Sequence, residues 1–203
     1  MTSYRERVIL KVLWGIPTEL KRGIEMEEKK NLWSSYDEAA KKELHEINEK
    51  YKACLDAGKT ERECVKLGKK MADTWGYKNL EDCISEGTTL KAGDKVYADC
   101  MGKAFVMFQL GKKPLEEGMN ILGAHIDSPR IDVKQNPLYE DTDLAYLDTH
   151  YYGGVKKYQW VALPMAMHGV IVKKDGTVVN VTVGEDEDDP VLYITDLLIH
   201  LAG

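Results

Sequence analysis

The first regular pattern along the chain is that of an amphipathic helix beginning near residue 35. Ser35 followed by Glu38 has the spacing of a capping box, in which each side chain bonds the backbone N–H at the other position. Apolar residues then recur at helical spacing until Gly58, which favours a helix end; they are Ala39, Leu44, Ile47, Tyr51 and Leu55. We predict one helix over this stretch.

A second helix is predicted directly after the first. Thr60 and Glu63 repeat the capping-box spacing, and Gly76 favours a helix end. Between them lies an apolar stripe at helical spacing, made of Cys64, Leu67, Met71 and Trp75.

Beyond residue 90 the pattern changes to short runs rich in β-formers. The predicted strands are Lys95–Cys100, Ala104–Leu110 and Asn120–Ile126, and Met101–Lys103 has the composition of a hairpin turn. The run Met119–Ala124 is apolar without alternation, as expected of a strand that is buried on both faces between layers of helices. These elements predict an α/β fold.

The last quarter of the chain is predicted to be mostly strand. Gly169–Val172 and Thr177–Val183 flank Lys174–Gly176, which is a strong hairpin signal. The acidic run Glu185–Asp189 is interpreted as a solvated turn.

Composition and charge indicate a globular protein and argue against nucleic-acid and membrane partners. The 203 residues, 43% of them hydrophobic, suffice for a packed core, and a net charge of -6 with interspersed signs argues against a nucleic-acid partner. No stretch predicts a signal peptide or a membrane helix, so we expect a cytoplasmic protein without a membrane partner. The cysteines lack metal-ribbon spacing and predict neither a zinc ribbon nor a disulfide framework; they are Cys54, Cys64, Cys83 and Cys100.

The segment Gly123–Pro129 carries the most chemistry. A buried strand that ends in His125-x-Asp127 would place an imidazole and a carboxylate on one side, at the sheet edge where α/β sites form. One ring nitrogen can ligate zinc while the carboxylate accepts a hydrogen bond from the other. Spacing alone leaves an alternative open, because a histidine at a strand end commonly caps a backbone carbonyl.

The string Gly123–Asp132 resembles the His-x-Asp-Ser-Pro motif of the M18 family of metalloaminopeptidases, which includes the aspartyl aminopeptidases. Four other segments resemble that family in the same order; they are Lys59–Glu63, Thr149–Gly154, Lys156–Trp160 and Leu197–Leu201. The resemblance covers the N-terminal part of such enzymes, from about Asn31 to Gly203. The likeness is to a bacterial branch of the family, since Trp160–Pro164 stands where many eukaryotic members carry an Asp-Arg-Asp stretch. This departure leaves open whether the preferred N-terminal residue is acidic or neutral.

The fold that this resemblance implies is α/β. It is the first half of a zinc-peptidase-type αβα sandwich, followed by the start of an inserted β-rich dimerisation domain. We therefore expect an N-terminal extension over residues 1–30, the N-terminal portion of the catalytic domain over 31–135, and the first part of the β-rich domain over 136–203.

The resemblance also implies roles for three residues. His125 would ligate one of two divalent metal ions, and Asp127 would be the catalytic carboxylate that orients it. His200 would belong to the dimerisation domain and bind substrate in a neighbouring subunit's active site, with an ordinary histidine on a helix face as the alternative. No family role transfers to the remaining histidines, which are His45, His150 and His168.

The implied function is a metal-dependent aminopeptidase that removes N-terminal amino acids from peptides. It would use two divalent ions, zinc or in its place cobalt or manganese, and such a centre needs about five ligating side chains and a base. The resemblance places the remaining ligands beyond Gly203, so we expect residues 1–203 alone to be inactive without a C-terminal half. We also expect a homo-oligomer assembled through the β-rich domain; the alternative is a non-catalytic relative that acts as an oligomerisation module.

Overall fold

The computed structural model describes residues 31–195. The chain divides into two compact units, and the boundary between them lies between Asn48 and Glu49. The predicted extension over residues 1–30 and the predicted contact residue His200 lie outside the described residues. The predicted domain boundary at 135/136 stays a prediction.

The first helices follow a short 3-10 turn at Leu32–Ser35. Helix α1 spans Glu38–Ala57 and is capped by the preceding Asp37, whose Oδ1 accepts a 2.8 Å hydrogen bond from the backbone N of Ala40. The predicted capping box at Ser35 is wrong, since its Oγ donates to the carbonyl of Leu32 inside the 3-10 turn. A cap must directly precede the first helical turn, and Asp37 holds that position.

Helix α2, Glu61–Thr74, carries the capping box that the sequence predicts. The backbone N of Glu63 donates to Thr60 Oγ1 at 3.3 Å, and the backbone N of Thr60 donates to Glu63 Oε2 at 2.9 Å. The two reciprocal bonds satisfy two donors that a helix start would otherwise leave unpaired. The helix ends at Trp75, and Gly76 follows with a φ of +77°.

Helix α2 packs on a three-stranded sheet. Strand β1 (Lys78–Asn79) precedes the short helix α3 (Leu80–Ser85), and β2 (Lys95–Cys100) lies between β1 and β3 (Ala104–Gln109). β1 is parallel to β2, whereas β3 is antiparallel to it. Within residues 31–195 the core is small, and its buried side chains are Val65, Ala72, Cys83, Val96 and Tyr97.

The hairpin turn predicted at Met101–Lys103 is confirmed. Met101 and Gly102 have φ values of +55° and +65°, and they connect β2 to β3. Backbone twist of this hand matches the twist of the two strands that it joins.

The strand predicted at Asn120–Ile126 is wrong. Residues 119–129 form neither helix nor strand, and Ile121 and Leu122 are 79% and 99% exposed. A strand buried on both faces needs hydrogen-bonded neighbours and covering layers, and no strand of the described part pairs with this segment. The described fold is accordingly a mixed α/β arrangement of small sheets.

A long hairpin, which the sequence patterns did not predict, follows the His-x-Asp segment. Strand β4 (Arg130–Asp141) pairs with β5 (Leu144–Tyr152) in antiparallel fashion. The turn between them consists of Thr142 and Asp143, both with positive φ, and the pairing is irregular between Val133 and Leu138. A two-residue turn without glycine gives little sequence signal.

The last described hairpin confirms the turn predicted at Lys174–Gly176. Strand β6 (Met167–Val172) pairs with β7 (Val178–Val183), and Gly176 has a φ of +85°. No helix within residues 31–195 combines the length and the apolar character that crossing a bilayer requires.

Candidate functional site

His125 and Asp127 lie side by side on the irregular segment before β4. Nδ1 of His125 is 3.1 Å from Oδ1 of Asp127 and 2.9 Å from its main-chain carbonyl oxygen. The His125 side chain is 83% exposed and that of Asp127 37%. The structure therefore brings these two predicted residues together, although on a loop and not at the end of a buried strand.

The contact defines which ring nitrogen carries the proton in the neutral imidazole. A carbonyl oxygen can only accept, and an ionised carboxylate can only accept as well, so Nδ1 must be the donor to both. Nε2 of His125 then keeps its lone pair, and the exposed ring presents that lone pair to solvent. This is the tautomer that a histidine requires to ligate a metal ion through Nε2.

Tyr152 lies on the other side of the Asp127 carboxylate. Its hydroxyl donates a 2.7 Å hydrogen bond to Asp127 Oδ2 from the last residue of β5. This bond lowers the pKa of Asp127 below its ordinary value, with the neighbouring His125 contributing less, and the carboxylate in turn raises the pKa of Tyr152. Asp127 is thereby favoured in its ionised form.

Arg130 supports the Tyr152 ring from the neighbouring strand. Arg130 and Tyr152 are cross-strand partners in the β4–β5 ladder, and the guanidinium carbon lies 4.1 Å from the ring centroid. The guanidinium is held on two sides, by Asp132 Oδ1 at 2.7 Å from Nε and by Glu61 Oε1 at 3.0 Å from Nη1. Burial opposes its charge, but these two carboxylates outweigh burial and raise the pKa of Arg130 further.

A glycine turn after β5 lies against the segment that carries the site. Gly153 has a φ of +73°, and the position that its Cβ would occupy is 3.5 Å from Cα of Pro129. Glycine adopts this left-handed conformation without the strain that other residues incur. The close approach keeps the His125–Pro129 segment next to the end of β5.

The described residues fit one ligand of a metal site. His125 with Asp127 behind it matches the pattern of a zinc-ligating histidine whose other nitrogen is held by a carboxylate. A zinc site needs three or four protein donors, and residues 31–195 contain no group of three or more His, Cys, Asp or Glu side chains that could hold a metal ion. The roles of His125, Asp127 and His200 stay predictions.

Sequence reasoning did not identify Tyr152, Arg130 or Glu61 as part of this cluster. All three lie within segments that carry the family resemblance, Glu61 in Lys59–Glu63, Arg130 in Gly123–Asp132 and Tyr152 in Thr149–Gly154. That resemblance was the available signal, but it does not show which side chains meet. The β4–β5 register and the position of α2 bring them together.

A second cluster surrounds His168, for which the sequence indicated no role. Its Nδ1 is 2.8 Å from Glu63 Oε1 and its Nε2 is 2.9 Å from Glu185 Oε1, and the side chain is only 14% exposed. Burial works against the charged ring, but hydrogen bonds to the two carboxylates outweigh it and raise the pKa of His168 above 6.5. Glu185 is therefore bound to His168, although residues 185–188 are exposed in a turn, as the sequence predicted for the acidic run.

Comparison with protein families gives one match over most of the chain. The family described as "Aminopeptidase I zinc metalloprotease (M18)" matches residues 54–203. The protein named Probable M18 family aminopeptidase 1 of Clostridium acetobutylicum is 60% identical over 178 residues, which are 88% of this chain and 38% of that protein. The protein of the same name from Thermotoga maritima is 41% identical over 86% of this chain and 37% of its own length.

Solved structures agree with the sequence comparison. The chain is similar to the crystal structure of aminopeptidase I from Borrelia burgdorferi B31, with a TM-score of 0.76 and 38% identity over 84% of this chain and 41% of that one. It is also similar to aminopeptidase I from Clostridium acetobutylicum, with a TM-score of 0.72 and 60% identity over 87% of this chain and 39% of that one. The chain thus spans less than half the length of the relatives that it matches.

Proposed function

Because the chain belongs to the M18 family of zinc metalloproteases, we propose that it forms part of a metal-dependent aminopeptidase that removes N-terminal residues from peptides. The observation that carries this proposal is the exposed imidazole of His125, whose Nδ1 is held by Asp127 so that Nε2 is free. The names of the bacterial relatives support the same activity.

In this proposal His125 ligates a divalent metal ion through Nε2, and Asp127 keeps the ring in the required tautomer and orientation. The centre would hold two ions, zinc or in its place cobalt or manganese. Bound divalent ions supply Lewis acidity and lower the pKa of a bound water, which is the chemistry that peptide hydrolysis at neutral pH needs. The ionised carboxylate of Asp127 accepts the hydrogen bond from Nδ1 and so fixes the orientation of the ring.

The remaining ligands and the general base are proposed to lie on the portion of the relatives that this chain does not match. Two observations support this. The described residues offer no complete metal site, and the chain spans 38% of its Clostridium relative. We accordingly propose that residues 1–203 alone do not hydrolyse peptides, and that His200 contacts substrate only in an assembled enzyme.

The test is complementation with the unmatched portion of the 60% identical Clostridium relative. The two polypeptides are co-expressed, purified together and assayed on a panel of aminoacyl chromogenic substrates with zinc, cobalt or manganese. We expect hydrolysis only in the complemented sample, with loss of activity on chelation and in His125→Ala. The matched control is His45→Ala, an exposed helical histidine outside the site, which should retain activity.

A soluble complemented sample that binds metal and yet hydrolyses none of the substrates would contradict the proposal. Activity of the 203-residue chain alone that is lost on chelation would contradict the proposed division of ligands. An inactive complemented sample and an active isolated chain can be told apart, because metal content and turnover are measured on the same preparations.

The second candidate is a non-catalytic relative that acts through association. Exposed apolar side chains at the far end of the β4–β5 hairpin favour this possibility, namely Leu138, Tyr139 and Leu144. A defined oligomer without metal, both before and after complementation, would support it over the aminopeptidase. In either case we propose a cytoplasmic protein that forms a homo-oligomer through its β-rich region.

A further inference from the structure

The carboxylate of Asp127 is fixed by two different partners, one on each oxygen. Oδ1 accepts from His125 Nδ1 at 3.1 Å, and Oδ2 accepts from the Tyr152 hydroxyl at 2.7 Å. A rotation of the carboxylate away from the ring would break the shorter of these bonds. The orientation of an exposed aspartate on a loop is thus tied to a residue at the end of a strand.

The Tyr152 hydroxyl is itself held in place from behind. The aromatic ring stacks under the guanidinium of Arg130 at 4.1 Å, and Arg130 is bound by Asp132 on its own strand and by Glu61 in the first turn of α2. Arginine with two carboxylate partners presents a rigid planar surface, and stacking on an aromatic face is a geometry that it favours. The chain of contacts therefore runs from a helix and a strand to the candidate ligand.

The chemistry of the hydroxyl suits this position better than a cation would. A neutral donor fixes the carboxylate without neutralising its charge. Asp127 therefore keeps the negative charge that, together with its own main-chain carbonyl oxygen 2.9 Å from Nδ1, holds the proton on His125 Nδ1. The positive charge of Arg130 lies over the ring face and forms its hydrogen bonds with Asp132 and Glu61.

We propose that Tyr152 is a positioning residue that, through Asp127, keeps the His125 proton on Nδ1 and the Nε2 lone pair free to bind a metal ion. The inference rests on the proposed function in one respect, which is that the ligand of Nε2 is a metal ion. The orientation of Asp127 and the tautomer of His125 are properties of this chain and can be measured without metal or substrate.

The test is the substitution Tyr152→Phe in the 203-residue chain. Phenylalanine keeps the ring under Arg130 and removes only the donor to Asp127. Long-range 15N–1H spectra report the tautomer of the neutral His125 ring, and we expect the Nδ1–H form to dominate in the wild type and to lose population to the Nε2–H form in Tyr152→Phe. The matched control is Tyr151→Phe, since the neighbouring Tyr151 side chain is exposed and pairs with Ile131 across the ladder.

A second measurement uses the complemented protein and a competing chromophoric chelator. We expect Tyr152→Phe to weaken zinc binding about tenfold, as is usual when the partner of a ligating histidine is disturbed. His125→Ala should weaken it more, and Tyr151→Phe should leave it unchanged. In the active enzyme, with turnover divided by the concentration of zinc-loaded protein, Tyr152→Phe should lower kcat and leave KM for the peptide unchanged. This normalisation is needed because a partial loss of folded protein would also lower the apparent kcat without changing KM.

The outcomes separate this inference from the proposed function. An unchanged His125 tautomer in Tyr152→Phe overturns the positioning role, whatever the enzyme does. A changed tautomer together with zinc binding that is indifferent to His125→Ala supports the positioning role and overturns His125 as a ligand. If Tyr152→Phe shifts the tautomer and weakens zinc binding while the wild type hydrolyses peptides, both stand.

Discussion

Nδ1 of His168 lies 2.8 Å from Oε1 of Glu63, so that strand β6 is joined to the first turn of α2. The other ring nitrogen, Nε2, contacts Glu185 at 2.9 Å. Because ionised carboxylates only accept hydrogen bonds, the ring can donate to both partners only when it is protonated. The charged imidazole on β6 therefore connects helix α2 with the turn that follows β7.

This cluster predicts a decrease in stability as the pH rises. The pKa of His168 is raised above 6.5, so its contribution to folding is fully present below 6.5 and is lost as the pH rises through the higher folded value. Burial raises the pKa of Glu63, but hydrogen bonds to His168 and Thr60 outweigh it and lower the pKa below 4.5. The Glu63 contribution is therefore present above 4.5 and is lost as the pH falls through its folded value.

We expect His168→Gln to lower the free energy of unfolding by about 1–2 kcal/mol in the window between these pKa values, since it removes a charge-assisted pair. Urea denaturation at about pH 6 and about pH 9 measures it, and the difference between wild type and variant should shrink at the higher pH. His45→Gln serves as the control and should follow the wild type. An equal loss at both pH values would contradict the charged form of the cluster.

Thr60 and Ser35 both begin a capping-box spacing, but we predict that their replacement by alanine has different effects on stability. Thr60→Ala removes the side-chain acceptor for the backbone N of Glu63 and should cost about 1 kcal/mol. Ser35→Ala removes only a hydroxyl donor within a 3-10 turn and should change stability by less than about 0.5 kcal/mol. Chemical denaturation compares them, and a larger loss for Ser35→Ala would contradict the observed start of α1.

Gly68 lies where α2 packs on the sheet, and a Cβ at this position would be 3.3 Å from the ring of Phe105. We expect Gly68→Leu to destabilise the protein by about 1–3 kcal/mol, because the close-packed interface has no room for the larger side chain. Lys66→Leu, two residues earlier on the exposed side of the helix, is the matched control. Thermal unfolding of both variants measures the difference, and equal melting temperatures would show that the interface can adjust.

The adjacent glycines after β5 are predicted to respond differently to alanine. Gly153 has a φ of +73° and approaches Pro129, whereas Gly154 has open space around the position of a Cβ. Gly153→Ala should cost about 1 kcal/mol or more, since alanine is strained in the left-handed region, and it should also perturb the His125 ring signals. Gly154→Ala should leave both the melting temperature and the ring signals unchanged. Equal behaviour of the two variants would mean that the Gly153 turn does not hold the site segment.

Local sequence signals predicted the elements that depend on near neighbours. The Thr60–Glu63 capping box and the turns at Met101–Lys103 and Lys174–Gly176 were all predicted, because caps and tight turns are decided within three or four residues. The error at Ser35 has the same origin. Asp37, which the sequence pattern did not single out, lies two residues after Ser35 and caps α1, because Ser35 is the last residue of the 3-10 turn.

Elements that depend on distant partners were predicted poorly. The apolar run Met119–Ala124 has the composition of a buried strand, but a strand also needs neighbours to pair with, and the described residues provide none for it. The β4–β5 hairpin shows the opposite case. Its turn at Thr142–Asp143 lacks a typical turn sequence, so the pairing is decided by contacts along the two strands.

The sequence by itself determined the imidazole and the carboxylate two residues apart at His125 and Asp127, because that pair needs only one short segment. Only the tertiary structure decided that Tyr152 reaches Asp127 across 25 positions and that Arg130 reaches Glu61 across 69. Contacts over such separations depend on strand register and helix packing. A local pattern in the sequence predicts neither the strand register nor the helix packing.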